Sequence, residues 1–514
     1  MPSPKNVLFI TADQWRGDTL GVLGHPLIQT PNLDGLAQSG VTFRNHWTQA
    51  TPCGPARASL LTSMYLMNHR VVNNGSPLDR RFTNLAWEAR KAGHEPTLFG
   101  YTDIAADPRD RDRNDPDLKT YEGVLPGMVS AVSLTESEKP WLASLKALGY
   151  GSLTPETVYL PAAASPGREA TFAPARYRAE HSNTAFLCGE LLKWLSVREE
   201  EPWFAHLSLL RPHPPWVAPS PYHSMYSPED VPPPVRGSSA ANEATQHLLL
   251  QTLHELVRTE SFYRTGTGTV AEASEQEVLQ ARATYYGLMT EVDHHLGRIF
   301  DYLKASGQWE RTLVVFTSDH GEMLGDHYLF GKSGYFDSAF HIPLIIHHPD
   351  APSRHGTQIE AFTETIDTAP TILEWLGVDV PQQFDGLALT PFLESGAPER
   401  WRDAVHFEFD FREIASLQPM ILERFGLYPD QCTLCVLRDS RYKYVHFTAL
   451  PPLLFDLQED PGEFHNLAES PEAQLLVARY AQKMLSWMLN HRDRTLANIS
   501  YESGTPLFWT GPRF

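Results

Sequence analysis

The residues that could do chemistry sit in a few short stretches. Cys53-Gly54-Pro55-Ala56-Arg57 leads into an apolar, helix-compatible run, Ala58 to Met64. Proline is favoured in the first helical turn, so Cys53 is expected at a helix N-terminus, where free N–H groups and the dipole attract anions. A nucleophile there, with Arg57 beside it, suits a tetrahedral anion such as a phosphate or sulfate ester. Asp13-Gln14 follows the apolar run Val7–Ile10, and Asp319-His320 follows Leu313–Phe316. Taken alone, Asp13 is either a loop carboxylate or a metal ligand. The Asp-His pair offers a hard oxygen and an imidazole to a divalent cation, and two such strand ends can meet on one rim of a sheet. Lys332 lies among glycines, where it is either solvated or able to deliver an ammonium to an anion.

The elements that must position these groups follow from periodicity. Short apolar runs ending in polar residues recur at Thr97–Phe99, before Gly100-Tyr101-Thr102-Asp103, and at Trp203–Leu210, before Arg211-Pro212-His213-Pro214. Helical patterns cover 31–40, 85–92, 368–376 and, most clearly, 275–306, which Gly307 is placed to cap. Strands alternating with helices on this scale predict an α/β fold with a mainly parallel sheet. Residues 107–166 and 227–274 read as insertions over that sheet. His294 and His295 read as surface or interface residues. From about residue 397 the pattern changes to alternating strands with a helix at 471–490, which predicts a smaller antiparallel subdomain over 397–514 after a catalytic domain over 1–396. The aromatic tail, with Phe508, Trp509 and Phe514, reads either as an arm onto a neighbouring subunit or as a frayed end.

Bulk properties narrow the partners. A formal charge of −20 over 514 residues argues against nucleic acid, although a local site can still be positive. No signal peptide or membrane span is read, so the expectation is a cytoplasmic protein with four reduced cysteines. Cys432 and Cys435 form a lone C-x-x-C that cannot make a four-cysteine zinc site and reads as two packed or semi-exposed thiols.

Together these pieces resemble the type I sulfatases of the alkaline phosphatase superfamily. Cys53-Gly54-Pro55-Ala56-Arg57 matches their C-x-P-x-R motif, and the likeness runs from Asp13 through Thr317–Gly321 to Leu454–Leu457, Asp460-Pro461 and Asn466–Ala468. Asp13–Asp18, Asn74–Asp79 and Gly331–Asp337 resemble the phosphonate monoester hydrolases and related arylsulfatases more closely. Typical sulfatases have a second Asp where this chain has Gln14, and Lys-Trp-His where it has Gly100–Asp103. The phosphonate hydrolases often have Thr at the position of Asp103.

The resemblance implies an alkaline phosphatase-like fold, a large mixed, mainly parallel sheet between helices. It implies that Cys53 is oxidised to formylglycine by a formylglycine-generating or equivalent enzyme. Asp13, Gln14, Asp319 and His320 would hold one divalent metal, manganese in preference to calcium because Gln14 carries no charge. Arg57 would steady the modified residue, Lys332 and His213 would meet negative charge or protonate the leaving group, and Asn74, Tyr101 and Asp103 would contact substrate. The implied substrates are small anionic esters: sulfate monoesters, phosphonate monoesters or phosphate diesters. A homo-oligomer, dimer or tetramer, is also implied. A Cys-dependent phosphatase is excluded because its Arg lies six residues after the Cys, where this chain has Ser59. The remaining rivals are a two-metal Ser/Thr-type phosphatase or mutase, which Thr48, Thr51 and His327 keep open, and an inactive sulfatase-like binding protein.

Overall fold

The structure is a computed structural model that describes residues 5–163, 169–198, 200–412, 423–493 and 495–508. Its large sheet contains β1 (Asn6–Ala12), β2 (Val41–Trp47), β4 (Pro96–Gly100), β5 (Val129–Ser133), β6 (Phe204–Leu209), β7 (Thr312–Thr317), β8 (His341–His347) and β9 (Thr357–Glu364). Their order is β5-β4-β6-β1-β7-β8-β2-β9. Every pairing is parallel except the two made by β8. β1 shows why the sheet is sandwiched. Leu8, Ile10 and Ala12 enter one core with the helix Glu275–Ala305, while Val7 and Phe9 enter the other with Ala58, Leu60 and Leu61. Alternate residues of a strand face opposite sides, so a strand that is apolar throughout must be covered on both.

The second sheet runs β13-β12-β11-β10-β3, from β10 (Ala404–Asp410), β11 (Thr433–Asp439), β12 (Tyr442–Phe447), β13 (Leu453–Asp456) and the two-residue β3 (Ala50–Thr51). It carries the helix Gln474–Asn490, through Tyr480 and Met484, on one face. Residue 397 falls between the helix Thr390–Glu394 and β10, but β3 crosses that line. The strand pairing thus ties the small sheet to the residues directly before Cys53. Two expectations need correction. The first insertion supplies β5, an edge strand with mostly exposed side chains, and His295 is buried against the helix core instead of lying on the surface. The tail begins as the hairpin β14 (Ile499–Glu502) and β15 (Thr505–Phe508); Trp509 and Phe514 lie outside the described residues.

Candidate active site

Strands β4, β6, β1 and β7 lie side by side and parallel, so their C-terminal ends share one edge of the sheet. Tyr101 and Asp103, His213, Asp13 and Gln14, and Asp319 and His320 all follow those ends. The loops are bonded to each other: Gln14 N donates to Asp319 Oδ1 (3.1 Å) and Trp15 N to Ser318 Oγ (2.9 Å). From the long helix, Tyr285 OH donates to Gln14 O at 2.6 Å. This over-determined loop holds Gln14 at a left-handed φ of 67°, a conformation that costs energy for a residue with a side chain.

The helix Cys53–Thr62 starts at Cys53 with Pro52 as N-cap and no side-chain cap, and every residue of it is buried. Its first turn delivers Cys53 to the strand ends. Cys53 Sγ lies 3.2 Å from His320 Nε2, and Lys332 Nζ donates to it at 3.3 Å. The ligand atoms of Asp13, Cys53, Asp319 and His320 all lie within 4.8 Å of one another. His320 Nδ1 donates to the Gly321 carbonyl (3.1 Å), which turns the Nε2 lone pair toward the cluster. Two carboxylates, a neutral imidazole and the Gln14 amide oxygen make a donor set that fits one divalent ion.

Arg57, one turn along the same helix and 1% exposed, ties the cluster together. It donates to Asp319 Oδ2 (2.8 Å), Asp13 Oδ2 (3.0 Å), Ser208 Oγ (2.8 Å) and the Tyr101 carbonyl (3.1 Å). Tyr101 OH donates to Asp13 Oδ2 at 2.5 Å, so in this arrangement it orients a ligand carboxylate. Asn74 Oδ1 accepts from Gly54 N (2.8 Å), which leaves its amide N–H groups as donors. Lys332 Nζ also donates to Gln14 Oε1 at 2.7 Å. His213 Nδ1 donates to Pro214 O (2.7 Å), so its Nε2 is an acceptor when the ring is neutral. Asp13, Cys53, Asn74, Tyr101, Asp103, His213 and Lys332 all line one cavity of about 650 Å³. A cavity of similar size, about 680 Å³, lies between Arg236–Gln246 and Phe464–Glu469 and contains none of them.

The electrostatics follow from burial. Desolvation, with the Asp13 charge beside it, holds the Cys53 thiol well above its ordinary value, so an ion-free thiolate is disfavoured. Burial lowers His320 to about 4 and puts His213 well below the usual imidazole range, leaving both neutral near pH 7. Burial and the Asp319 charge raise Asp13. Burial opposes ionisation of Asp319 too, but His320, Arg57 and Lys332 outweigh it and hold that carboxyl low.

Two residues of the site were not singled out from sequence. Glu322 accepts from Gln14 Nε2 and from the backbone of Leu324 (2.8 Å) and Gly331 (2.6 Å), so it fixes which end of the Gln14 amide faces the cluster. Ser208 holds Arg57 from within β6. Glu322 stands two residues past His320 in the sequence, but nothing local to Ser208 marks it. The residues that kept a two-metal reading open are otherwise engaged. Thr51 Oγ1 donates to the Lys332 carbonyl (2.9 Å), and His327 pairs with Glu243 (2.9 Å).

Comparison with known proteins identifies the family. Residues 5–378 match the Sulfatase family, and residues 325–490 match the N-sulphoglucosamine sulphohydrolase C-terminal family. The chain is 47% identical over 502 residues to the multifunctional alkaline phosphatase superfamily protein PehA of Trinickia caryophylli, covering 96% of this chain and 97% of that one. The phosphonate monoester hydrolase of Agrobacterium radiobacter superposes with a TM-score of 0.95 at 46% identity, over 99% of this chain and 100% of that one. That of Silicibacter pomeroyi gives 0.92 at 42% identity, over 98% and 99%. With a family model over most of its length and relatives above 40% identity over nearly the whole chain, the chain belongs to the sulfatase family of hydrolases within the alkaline phosphatase superfamily.

Proposed function

We propose that the chain hydrolyses sulfate monoesters, phosphonate monoesters and phosphate diesters, with aryl esters among its substrates, through a formylglycine made from Cys53. The observation that carries this reading is the placement of Cys53 Sγ between His320 Nε2 (3.2 Å) and Lys332 Nζ (3.3 Å), beside two buried carboxylates. As an aldehyde hydrate, the modified residue offers one hydroxyl as nucleophile to sulfur or phosphorus and a second whose deprotonation releases the acid product. Asp13, Gln14, Asp319 and His320 would hold one divalent ion, manganese in preference to calcium. When bound, such an ion polarises an ester oxygen and lowers the nucleophile's pKa.

The chain's own groups have distinct tasks. Arg57 fixes both carboxylates and places the helix end. Lys332 Nζ is a charged donor that can meet the developing anion or protonate the leaving oxygen. Asn74 presents amide donors to a non-bridging oxygen. His213, neutral with Nε2 as acceptor, receives a proton before it can give one. A modifying enzyme is the one partner this reading requires. Comparing kcat/KM for an aryl sulfate, an aryl phosphonate monoester and an aryl phosphodiester tests it. Turnover of at least one well above that of Cys53→Ala is expected, and no turnover of any of the three by modified, metal-loaded protein would contradict it.

A further inference from the structure

The charges around Cys53 bear on which anions the site takes, given the hydrolase reading above. Three carboxylates, Asp13, Asp319 and Asp103, meet two cations, Arg57 and Lys332, while His320 is neutral. That set carries one net negative charge, which a divalent ion would turn into one net positive charge. Asp103 is the member with no other task. It is 6% exposed, lines the cavity over Cys53 and makes no hydrogen bond among the described residues. Its nearest cation is Arg57 Nε at 3.9 Å, and that guanidinium is already bonded to Asp13, Asp319, Ser208 and the Tyr101 carbonyl. A left-handed φ of 51° fixes where its backbone leaves the strand end.

We propose that Asp103 sets the charge preference of the site, favouring monoanionic esters over dianions such as phosphate monoesters. Phosphonate monoesters, phosphate diesters and sulfate monoesters share that single charge. With Asp103 and a divalent ion, the surroundings carry one positive charge, the complement of a monoanion; without Asp103 they would carry two, the complement of a dianion. A fixed carboxylate repels in proportion to substrate charge, so its penalty on a dianion is the square, in fold terms, of its penalty on a monoanion. Burial pushes the Asp103 carboxyl up to about 7 against Arg57, with Asp13, Glu122 and Asp319 adding to the rise. The charge is therefore complete roughly two pH units higher.

Asp103→Asn removes the charge and keeps a residue that tolerates the left-handed backbone, while Asp103→Glu keeps the charge. At about pH 9, the ratio of kcat/KM for an aryl phosphate monoester to that for an aryl phosphonate monoester is expected to rise about tenfold in Asp103→Asn. In Asp103→Glu it should stay near the wild-type value. An unchanged ratio in Asp103→Asn overturns the assignment. Binding reads the same property without turnover: Asp103→Asn should tighten the Kd for inorganic phosphate more than that for dimethyl phosphate, and equal shifts overturn the proposal. If the wild type hydrolyses neither ester, the hydrolase reading fails, and the phosphate-to-dimethyl-phosphate ratio still decides the role of Asp103.

Discussion

Asp13 and Asp319 are two buried carboxylates compensated by Arg57 and Lys332, and by a divalent ion in the function proposed above. Replacing one with an amide removes a charged ligand but little volume. Asp319→Asn should lose bound metal and lower kcat by at least about 100-fold. Elemental analysis of the purified variant, alongside its rate, checks this, and a full metal content would contradict the ligand set. Glu322 fixes the orientation of the neutral Gln14 amide. Its carboxyl group receives the Gln14 amide N–H from the far side, so the Gln14 oxygen stays turned toward the cluster.

At the scale of elements, the site depends on four strand ends staying in register. Gly100 closes β4 at φ 121°, and a Cβ there would lie 2.0 Å from the Ser208 carbonyl of β6. Both the torsion and the contact exclude a side chain. Gly100→Ala should cost about 2–4 kcal/mol and lower activity, because Ser208 also holds Arg57. A denaturant midpoint equal to wild type would show that the strands part more easily than described. Much of this arrangement was legible in the sequence, because buried parallel strands are short apolar runs and their C-terminal ends announce themselves as Asp13, Tyr101, His213 and Asp319. What was not legible lacks that signal. β5 is largely exposed and has no apolar run, β9 alternates without one, and β3 is two residues long and is a strand only because β10 pairs with it. Ser208 looks like any strand residue until Arg57, 151 positions away, is placed against it.

At the scale of the whole molecule, buried ionisable groups couple stability to pH. Glu291, in the long helix beneath the sheet, is raised by burial from 4.5 to about 7 against a Ser182 hydrogen bond and Arg211. Its folded value lies above its unfolded one, so the fold holds the extra proton between those values. The contribution is complete below about 4.5 and is lost as pH rises through about 7. Relative to Glu291→Gln, the wild type should lose about 3 kcal/mol of unfolding free energy across that window. Paired denaturation curves at its two ends check this, and a difference independent of pH would contradict it. Among the described residues no helix is long and apolar enough to cross a membrane, and the four cysteines form no disulfide. Cys53 is set apart from the other three by what surrounds it, and its conversion to formylglycine is the central proposal. Mass analysis of the intact active protein, and of the peptide spanning Cys53, tests this most directly. The predicted result is an aldehyde, with the sulfur and two hydrogens lost and one oxygen gained. Fully active protein that retains the Cys53 thiol would contradict it.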